Sequence, residues 1–412
     1  MFKSLKIRCL FIYLRFIEEN IGWTLREIAY RLFQFIIYIF LLPITLILRI
    51  LGFRCLSINT RRIGHLAGEI DCFIKMQSLG LINPNYRYFI YSDSGVANRV
   101  FLDYVSNKIT SITTPAVSLI LKYLCFGPGI KYSVSNYLLA INGAAKYYDV
   151  CSLWGDRPPC FSLNEEHVLH GLGVLSDLGL PADSSYVCVH VRSQGFILSD
   201  DMVHAHRNFT VDSLDKAIQE IVERGHFCIL MGDSSSQRIS PRRMVIDYAH
   251  SVYKSDMMDV FLCASAKFFL GNSSGLFIMS SVFGTPCALS NMLPFVCTGF
   301  TKKDISIPKL LKCTKTGKYL KYSKILESGV ANYRNAKQYE LAEIAVIQNT
   351  ESDISDLVQD MLAFLDQKIT SDVLARKSEF FLKMLQPESY SFKTASYLSP
   401  RFVEKNREIF YD

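Results

Sequence analysis

The sequence has no histidine beyond His250, and this absence excludes one interpretation of its most motif-like stretch. Gly271-x-Ser273-x-Gly275 matches the nucleophile elbow of α/β-hydrolases. Those enzymes place an acid and then a histidine after the serine, so the catalytic triad cannot be completed in its usual order. The sequence therefore argues against a serine hydrolase.

Signals for nucleic-acid binding and for secretion are also missing. No zinc-finger spacing, basic zipper or aromatic RNA-binding motif accompanies the net charge of +7. The moderate basicity therefore predicts a phosphate-rich ligand or an anionic membrane surface, and no nucleic acid. No small-residue cleavage site follows the N-terminal apolar region, which argues against a signal peptide.

The 12 cysteines predict buried thiols in a reducing compartment and not a disulfide framework. The prediction follows because several of them fall inside predicted core strands or helices. These are Cys188, Cys228, Cys263 and Cys287.

Half of the 412 residues are apolar, which is enough for two domains with a sizeable core. Strands that alternate with helices predict an α/β fold with parallel sheets. We predict a membrane-anchoring segment over 1–55, a Rossmann-like acceptor domain over 56–180 and a Rossmann-like donor domain over 184–370. Residues 371–412 are predicted to form helices and a tail that pack back across the domains.

The N-terminal segment combines basic and apolar residues. Leu32 to Leu48 is almost wholly apolar, about the lower length limit of a spanning helix, and Pro43 would kink it. Basic residues flank both ends, so charge gives no clean orientation. A monotopic or re-entrant anchor on the cytoplasmic leaflet is favoured, with a single span and a buried domain helix as alternatives.

The stretch from Lys267 to Leu289 is predicted to form a strand, a tight loop, a helix and a second strand. Its loop would direct backbone N–H groups and the hydroxyls of Ser273 and Ser274 at one point, where a helix N-terminus favours an anion. A turn built from small residues for steric reasons alone is the alternative. A glycosylation sequon at Asn272 lies in the same loop, where a glycan would block a ligand.

Two other strand ends carry polar groups. The strand that starts at Tyr186 ends with His190 and Arg192 on one face, and an arginine there suits bidentate contact with phosphate. A structural ion pair is the alternative role for Arg192. The next strand runs into Gly232-Asp233, so three strand ends are predicted to meet at one sheet edge, where doubly wound sheets bind ligands.

His65 and Glu69 lie one turn apart on a helix that follows another predicted strand. This pair could act as acid or base toward an acceptor hydroxyl. A capping or packed histidine is the alternative, and Asp71 and Asp93 are weaker catalytic candidates.

Two other clusters give weaker signals. The pair His204 and His206, near two aspartates, is weak evidence for a metal, and we predict none. The lysine-rich stretch from Lys302 to Lys324 is either a solvated loop or a contact for anionic lipid or a phosphate-bearing acceptor.

Taken together, these motifs resemble those of a family of bacterial glycosyltransferases whose members occur among genes for surface polysaccharide. The shared residues are Arg62-Ile-Gly-His-Leu-Ala67, Val189-His190-Val-Arg192, Asp201, Arg207-Asn208, Met231-Gly232-Asp233, Asp259 to Ser265, Gly271-x-Ser-Ser-Gly275 and Gly284-Thr-Pro286. More distantly, His190-x-Arg192 is similar to a strand end of fucosyltransferases that use GDP-fucose. That resemblance implies that the arginine binds the donor diphosphate and assists the leaving group without metal. Ser193 stands where those enzymes often have a second arginine.

The sequence and the resemblance together predict a GT-B glycosyltransferase, with two Rossmann-like domains facing across a cleft. Its substrates would be a nucleotide sugar, linked to GDP or UDP, and a glycan or lipid-linked acceptor at the cytoplasmic face of a membrane. Arg192, His190, Gly232, Asp233, Ser273, Ser274 and Gly275 are the predicted donor-binding residues, and Arg192, His65 and Glu69 the predicted catalytic ones. A polysaccharide pyruvyl transferase and a non-catalytic membrane-bound scaffold are the alternatives.

Overall fold

The structure is a computed structural model that describes residues 21–92, 95–127, 129–132, 144–192, 209 and 211–411. Backbone contacts group the chain into two compact units. The first comprises Met1–Ser57, Asn83–Gly95 and Ile109–Val134; the second comprises Ile58–Ile82, Val96–Lys108 and Ser135–Asp412. The predicted domain bounds of 56–180 and 184–370 stay a prediction.

The described helices are α1 (Ile21–Ile50), α2 (Ile63–Ser78), α3 (Arg99–Ser106), α4 (Pro115–Leu124), α5 (Ala144–Trp154), α6 (Glu165–Asp177), α7 (Asp215–Glu223), α8 (Asp256–Ser265), α9 (Gly275–Val282), α10 (Tyr322–Glu327), α11 (Ala336–Leu341), α12 (Glu351–Leu365), α13 (Ser371–Met384), α14 (Pro400–Lys405) and α15 (Arg407–Phe410). The described strands are β1 (Phe53–Cys55), β2 (Arg87–Tyr91), β3 (Thr110–Ile112), β4 (Tyr186–His190), β5 (Phe227–Leu230), β6 (Val245–Ile246), β7 (Phe268–Gly271), β8 (Cys287–Met292), β9 (Ile305–Pro308), β10 (Leu310–Cys313), β11 (Ile344–Ile347) and β12 (Tyr397–Leu398).

The first unit is built on a three-stranded parallel sheet in the order β1-β2-β3. Helices α1 and α4 pack against each other and supply side chains to its core. Helix α1 contains the one stretch among the described residues that is long and apolar enough to cross a membrane, Arg26–Ile50, with a mean hydropathy of 2.2. The predicted N-terminal apolar helix is therefore present, and its basic amphipathic start at residues 1–20 lies outside the described residues.

The second unit contains a seven-stranded sheet in the order β12-β9-β8-β7-β4-β5-β6, and all its strands are parallel. From β4 the chain proceeds outward to β5 and β6, and then returns to β7 on the other side of β4. The order of strands therefore reverses between β4 and β7, which is where ligands bind in doubly wound sheets. The predicted α/β class with parallel sheets is confirmed, and the tail adds β12 at one edge.

Local sequence explains how the elements beside this reversal begin and end. Strand β4 is apolar and buried along almost its whole length, as a strand covered on both faces requires. Ser255 and Ser274 cap the N-termini of α8 and α9 by accepting hydrogen bonds from the backbone N–H groups of Met258 and Phe277. Gly225, at φ +82°, ends the segment that contains α7. A 3₁₀ turn, Val211–Leu214, directly precedes α7.

The structure shows the surroundings of the predicted buried thiols and of several lysines in the lysine-rich stretch. Cys188, Cys228, Cys263 and Cys287 are fully buried, as predicted, and no described cysteine forms a disulfide. In the lysine-rich stretch, three described lysines form exposed pairs with acids and a fourth is buried; the choice between a solvated loop and an anion contact stays a prediction. The pairs are Lys302 with Asp156, Lys315 with Glu343 and Lys324 with Glu327; the buried lysine is Lys309.

A buried carboxylate holds the loop that leads from β8 to β9. Asp304 is fully buried and accepts hydrogen bonds from three backbone N–H groups, those of Cys287 at 2.9 Å, Phe300 at 2.9 Å and Thr301 at 2.8 Å. Burial raises the pKa of Asp304 to about 6. The three donors partly offset the cost of burying this carboxylate, so the loop and the carboxylate depend on each other.

We expect Asp304→Ala to lower the free energy of unfolding by about 3 kcal/mol or more, because it leaves buried N–H groups without an acceptor. Urea denaturation measures the change. The matched control is Asp156→Ala, which removes an aspartate whose side chain is 79% exposed and whose partner is Lys302; we expect it to change stability by less than about 1 kcal/mol. Equal effects of the two substitutions would show that Asp304 does not organise the loop.

Candidate functional site

A cavity of about 650 Å³ opens at the carboxyl ends of β4, β5 and β7, and all its lining residues belong to the second unit. The turns after these three strands contribute the predicted donor-binding residues. His190, Arg192, Gly232, Asp233, Ser273, Ser274 and Gly275 all line it. The structure therefore brings together the three strand ends that the sequence placed at one sheet edge.

The turn after β7 and the end of β4 are joined by a buried asparagine. The backbone N–H of Arg192 donates to Oδ1 of Asn272 at 3.2 Å, and Asn272 is fully buried. Because its amide is inside the protein, Asn272 cannot carry a glycan in the folded chain. The sequon was recognised from the sequence, whereas this positioning role was not.

His190 and Gly271 pair in the register of β4 and β7. A Cβ atom at Gly271 would lie 2.6 Å from the carbonyl oxygen of His190, so only glycine allows this approach. Burial lowers the pKa of His190 to about 4, and the nearby carboxylate of Asp233 opposes that shift. His190 is therefore neutral near pH 7, and its buried Nδ1 makes no hydrogen bond within the described part of the chain.

The turn after β5 is locked by its own side chains. Gly232 has a φ of +152°, and a Cβ atom there would lie 2.2 Å from Oγ of Ser236. Asp233 Oδ1 accepts hydrogen bonds from the backbone N–H and the hydroxyl of Ser235, at 2.8 and 2.6 Å. One carboxylate oxygen thus fixes the turn, and the side chain as a whole still lines the cavity.

The N-terminus of α9 points the first turn of a helix toward the cavity. Ser274 Oγ accepts the N–H of Phe277 at 3.4 Å, so its oxygen serves as the helix cap and its hydroxyl hydrogen can serve another acceptor. Leu276, in the first turn of α9, also lines the cavity. The uncompensated N–H groups of such a turn favour an anion.

Helix α2 crosses α9 at a pair of glycines. A Cβ atom at Gly64 would lie 2.9 Å from Cα of Gly275, and one at Gly275 would lie 2.9 Å from the backbone nitrogen of Gly64 and 2.4 Å from Cγ2 of Ile63. The two helices therefore approach backbone to backbone near their N-termini. Gly275 is needed for this packing in addition to any contact with a ligand.

The crossing brings His65, on the first turn of α2, to the cavity. Its Nδ1 lies 2.6 Å from Oε1 of Glu69, whose side chain is fully buried while that of His65 is 24% exposed. When Nδ1 carries the proton and donates to Glu69, Nε2 is an acceptor. Glu69 itself does not line the cavity, so the geometry gives it a positioning role and leaves His65 as the group that can meet a ligand.

The weaker catalytic candidates are not part of this arrangement in the described residues. Asp71 is fully buried and pairs with Lys75 at 2.6 Å, and it accepts the hydroxyl of Tyr147 at 2.6 Å. It therefore connects α2 to α5 and does not line the cavity. The other motif positions named above, Asp93, Ser193, Asp201, His204, His206, Arg207 and Asn208, lie outside the described residues.

The cavity is strongly basic. Five lysine and arginine side chains line it against two aspartates, so its field favours an anionic ligand. The basic residues are Arg61, Arg62, Arg192, Lys254 and Arg334, and the acids are Asp233 and Asp259.

Lys254 and Arg334 are cavity residues that motif analysis missed. Lys254 forms an ion pair with Asp259 and lies 5.2 Å from the ring centre of Tyr248. Arg334 stacks over the ring of Tyr390 at 4.1 Å, and burial lowers its pKa. Both lie in sequence stretches without a recognisable motif, and only the tertiary fold brings them to the cavity.

No protein-family model matches the chain, and no curated protein matches it. Among solved structures, it is 14% identical to TibC, an iron-containing dodecameric glycosyltransferase from enterotoxigenic E. coli H10407, with 78% of each chain covered and a TM-score of 0.41. It is 12% identical to the E. coli ADP-heptose LPS heptosyltransferase II, with 77% of this chain and 100% of that chain covered and a TM-score of 0.45.

A glycosyltransferase family 9 protein from Veillonella parvula DSM 2008 is 12% identical, covering 57% of this chain and 78% of that chain, with a TM-score of 0.34. These likenesses are too distant to assign a function.

We expect Gly275→Ala to destabilise the protein by about 1–3 kcal/mol, because its methyl group meets the backbone of Gly64. The thermal midpoint measures this change. Gly173→Ala is the matched control, since Gly173 lies on helix α6 with no atom within 4 Å of an added Cβ. That change should leave the midpoint unchanged or raise it. If Gly275→Ala were as harmless as the control, the close helix crossing would be wrong.

Proposed function

We propose that this protein is a GT-B glycosyltransferase that moves a sugar from a nucleotide-sugar donor to a hydroxyl of its acceptor. One observation carries the proposal. An arginine, a helix N-terminus and a carboxylate-oriented histidine converge on one basic cavity at the strand-order reversal of a parallel sheet. Such a site can bind a diphosphate on one side and remove a proton on the other.

The donor diphosphate would lie between Arg192 and the first turn of α9. The guanidinium can form a bidentate contact with phosphate oxygens, and the helix amides of the Ser273-Ser274-Gly275 turn add fixed partial positive charge. Negative charge grows on the diphosphate as it leaves, so both groups stabilise the transition state more than the ground state. This role needs no metal, and we propose none.

The acceptor hydroxyl would lie at Nε2 of His65. In the transfer step the bond from the sugar carbon to the diphosphate breaks, and a bond from the acceptor oxygen to that carbon forms. The acceptor proton moves to His65, and the nucleoside diphosphate leaves with the bonding electron pair. Glu69 orients the imidazole and stabilises the imidazolium that results.

The rest of the cavity would hold the nucleoside and the sugar. Asp233 lies at the end of β5, where a carboxylate can accept hydrogen bonds from ribose hydroxyls. His190, neutral and buried, can donate or accept a single hydrogen bond beside Arg192. We propose a GDP- or UDP-linked sugar as donor, a glycan or lipid-linked acceptor of surface polysaccharide, and a location at the cytoplasmic face of the membrane. Fucose is one candidate sugar.

A thermal-shift screen of GDP, UDP, ADP, CMP and phosphoenolpyruvate tests the donor class. We expect a nucleoside diphosphate to raise the thermal midpoint, and a ligand at 100 times its Kd adds about 2.7 kcal/mol of stability. Arg192→Ala should abolish the shift and reduce transfer at least about a hundredfold, whereas Arg376→Ala, an exposed arginine on α13, should retain both.

The same screen contains the results that would contradict the proposal. A shift with phosphoenolpyruvate alone would identify a pyruvyl transferase. The absence of any shift would favour a scaffold without catalysis. Near wild-type transfer by a folded Arg192→Ala protein would remove Arg192 from the mechanism.

Substitutions of His65 and Glu69 should lower kcat to different extents. We expect His65→Ala to lower kcat by about 10²–10⁴ and to leave donor affinity unchanged, because a general base acts in the chemical step. Glu69→Gln should lower kcat less, because the amide can still accept a hydrogen bond from Nδ1. His170→Ala, an exposed histidine on α6, is the control and should keep full activity. A loss of donor affinity with unchanged kcat in His65→Ala would assign His65 to binding.

A further inference from the structure

Helix α1 docks on the first unit through one regular face. Gln34, Tyr38 and Thr45 are 4%, 6% and 0% exposed, and Leu41 and Leu48 pack against the core of that unit. Their spacing of four, three, four and three residues is the heptad pattern of a helix held against a partner along its length. The core beneath consists of Cys55, Phe89, Leu121, Leu124, Cys125 and Ile130.

Close contacts hold this face along several turns. A Cβ atom at Gly127 would lie 2.3 Å from the ring of Tyr38, and one at Gly129 would lie 2.8 Å from Cγ2 of Thr45. Arg49 Nη1 donates to the carbonyl oxygen of Gly129 at 3.1 Å. The helix is therefore fixed to the unit from its middle to its C-terminus.

The opposite face of α1 is apolar and uncovered. Ile36, Phe40, Ile47 and Ile50 are 54%, 79%, 56% and 84% exposed. With Pro43 they repeat the same heptad spacing, displaced by two residues from the docked face, which places them on the other side of the helix. Soluble proteins rarely expose an apolar stripe of this length, so the stripe marks a contact with another protein or with a membrane.

Helix α4 adds to the uncovered surface. Leu119 and Ile120 are 53% and 55% exposed. The helix packs beside α1, where the rings of Phe33 and Tyr123 meet edge to face at 6.4 Å. The apolar surface is therefore a property of two docked helices, although only the first was predicted from the sequence to meet a membrane.

The charges around this surface indicate its partner. No charged residue lies between Arg31 and Arg49, and the one acid on α1, Glu27, pairs with Arg31 at 2.8 Å. Basic residues lie near the two ends of α1 and on α4, and none lies within the apolar stripe; they are Arg26, Arg31, Arg49, Arg54 and Lys122. An apolar strip with a cationic rim matches the acyl chains and head groups of an anionic bilayer.

We propose that α1 and α4 together form a monotopic anchor that lies in the plane of an anionic bilayer. A spanning α1 would have to draw its docked face, and the sheet to which that face is fixed, into the hydrocarbon. A second copy of this chain is a poorer partner, because the two cationic rims would repel each other. The anchor is independent of the reaction proposed for the cavity.

Vesicle binding by the full chain tests the role of α4. With vesicles of phosphatidylcholine and phosphatidylglycerol, Leu119→Asp/Ile120→Asp should weaken partitioning at least about tenfold, because two apolar side chains leave the acyl region and two negative charges enter the rim. The matched control is Leu169→Asp/Leu172→Asp, which alters two leucines of α6 that are 65% and 50% exposed; it should bind like wild type. Omitting the anionic lipid should weaken binding for all three proteins.

Helix depth distinguishes the in-plane anchor from a span. In a Trp23→Phe/Trp154→Phe background, Phe40→Trp and Ile50→Trp should be quenched by brominated lipids at equal, shallow depth. A spanning helix would separate the two positions by about 15 Å along its axis, at about 1.5 Å per residue.

Three results would overturn the anchor. The first is a difference in depth between the two tryptophans, and the second is vesicle binding by the α4 variant at the wild-type level. The third is a wild-type protein that is dimeric without lipid while the α4 variant is monomeric. Unchanged circular dichroism of the α4 variant would show that lost binding does not come from unfolding. Because each readout is independent of sugar transfer, an inactive cavity would not affect the result.

Discussion

The backbone contact of Gly64 with Gly275 is the constraint on which the candidate site depends. It lets the first turns of α2 and α9 pack against each other, although the two helices lie far apart in the sequence. A methyl group on either glycine would push the helices apart and move His65 away from the turn after β7. The sheet gathers Arg192 and the serine turn, and the crossing adds the imidazole of His65 to the same cavity. The glycine crossing therefore places an imidazole beside the basic residues of the cavity.

Local contacts reduce the mutual repulsion of the basic side chains that line this cavity. Lys254 is compensated by Asp259, whose own pKa is raised by burial, and Arg334 lies over the ring of Tyr390. The backbone of Arg192 is held by Asn272, so its position does not depend on a ligand. A basic cavity preorganised in this way needs little rearrangement when an anion enters, which is the condition for strong electrostatic stabilisation.

Sequence reasoning located the parts of the site that depend on local pattern. Strand ends followed by small or polar residues predicted the positions of Arg192, Asp233 and the serine turn, because parallel strands bring their carboxyl ends to one edge. It could not place Lys254 or Arg334, because their approach depends on contacts distant in sequence. It also paired His65 with Glu69 correctly by helical spacing, but burial, which distinguishes the partly exposed imidazole from the fully buried carboxylate, is a tertiary property. Helix α4 was missed since the surrounding stretch mixes aromatic residues and turn signals without a clear period.

The buried Glu69 carboxylate separates a catalytic interpretation of His65 from a merely structural one. Placing a carboxylate in the interior is costly, and its pairing with a half-buried histidine returns only part of that cost. A histidine that only packed or capped a helix would need no such partner, and an apolar residue at position 69 would fill the space at a lower cost in folding free energy. The pair lies where α2 meets the turn that is suited to hold a diphosphate. In the proposed reaction this cost would serve proton transfer, because a carboxylate that accepts the Nδ1 proton leaves Nε2 of His65 as the acceptor nitrogen of a side chain that lines the cavity.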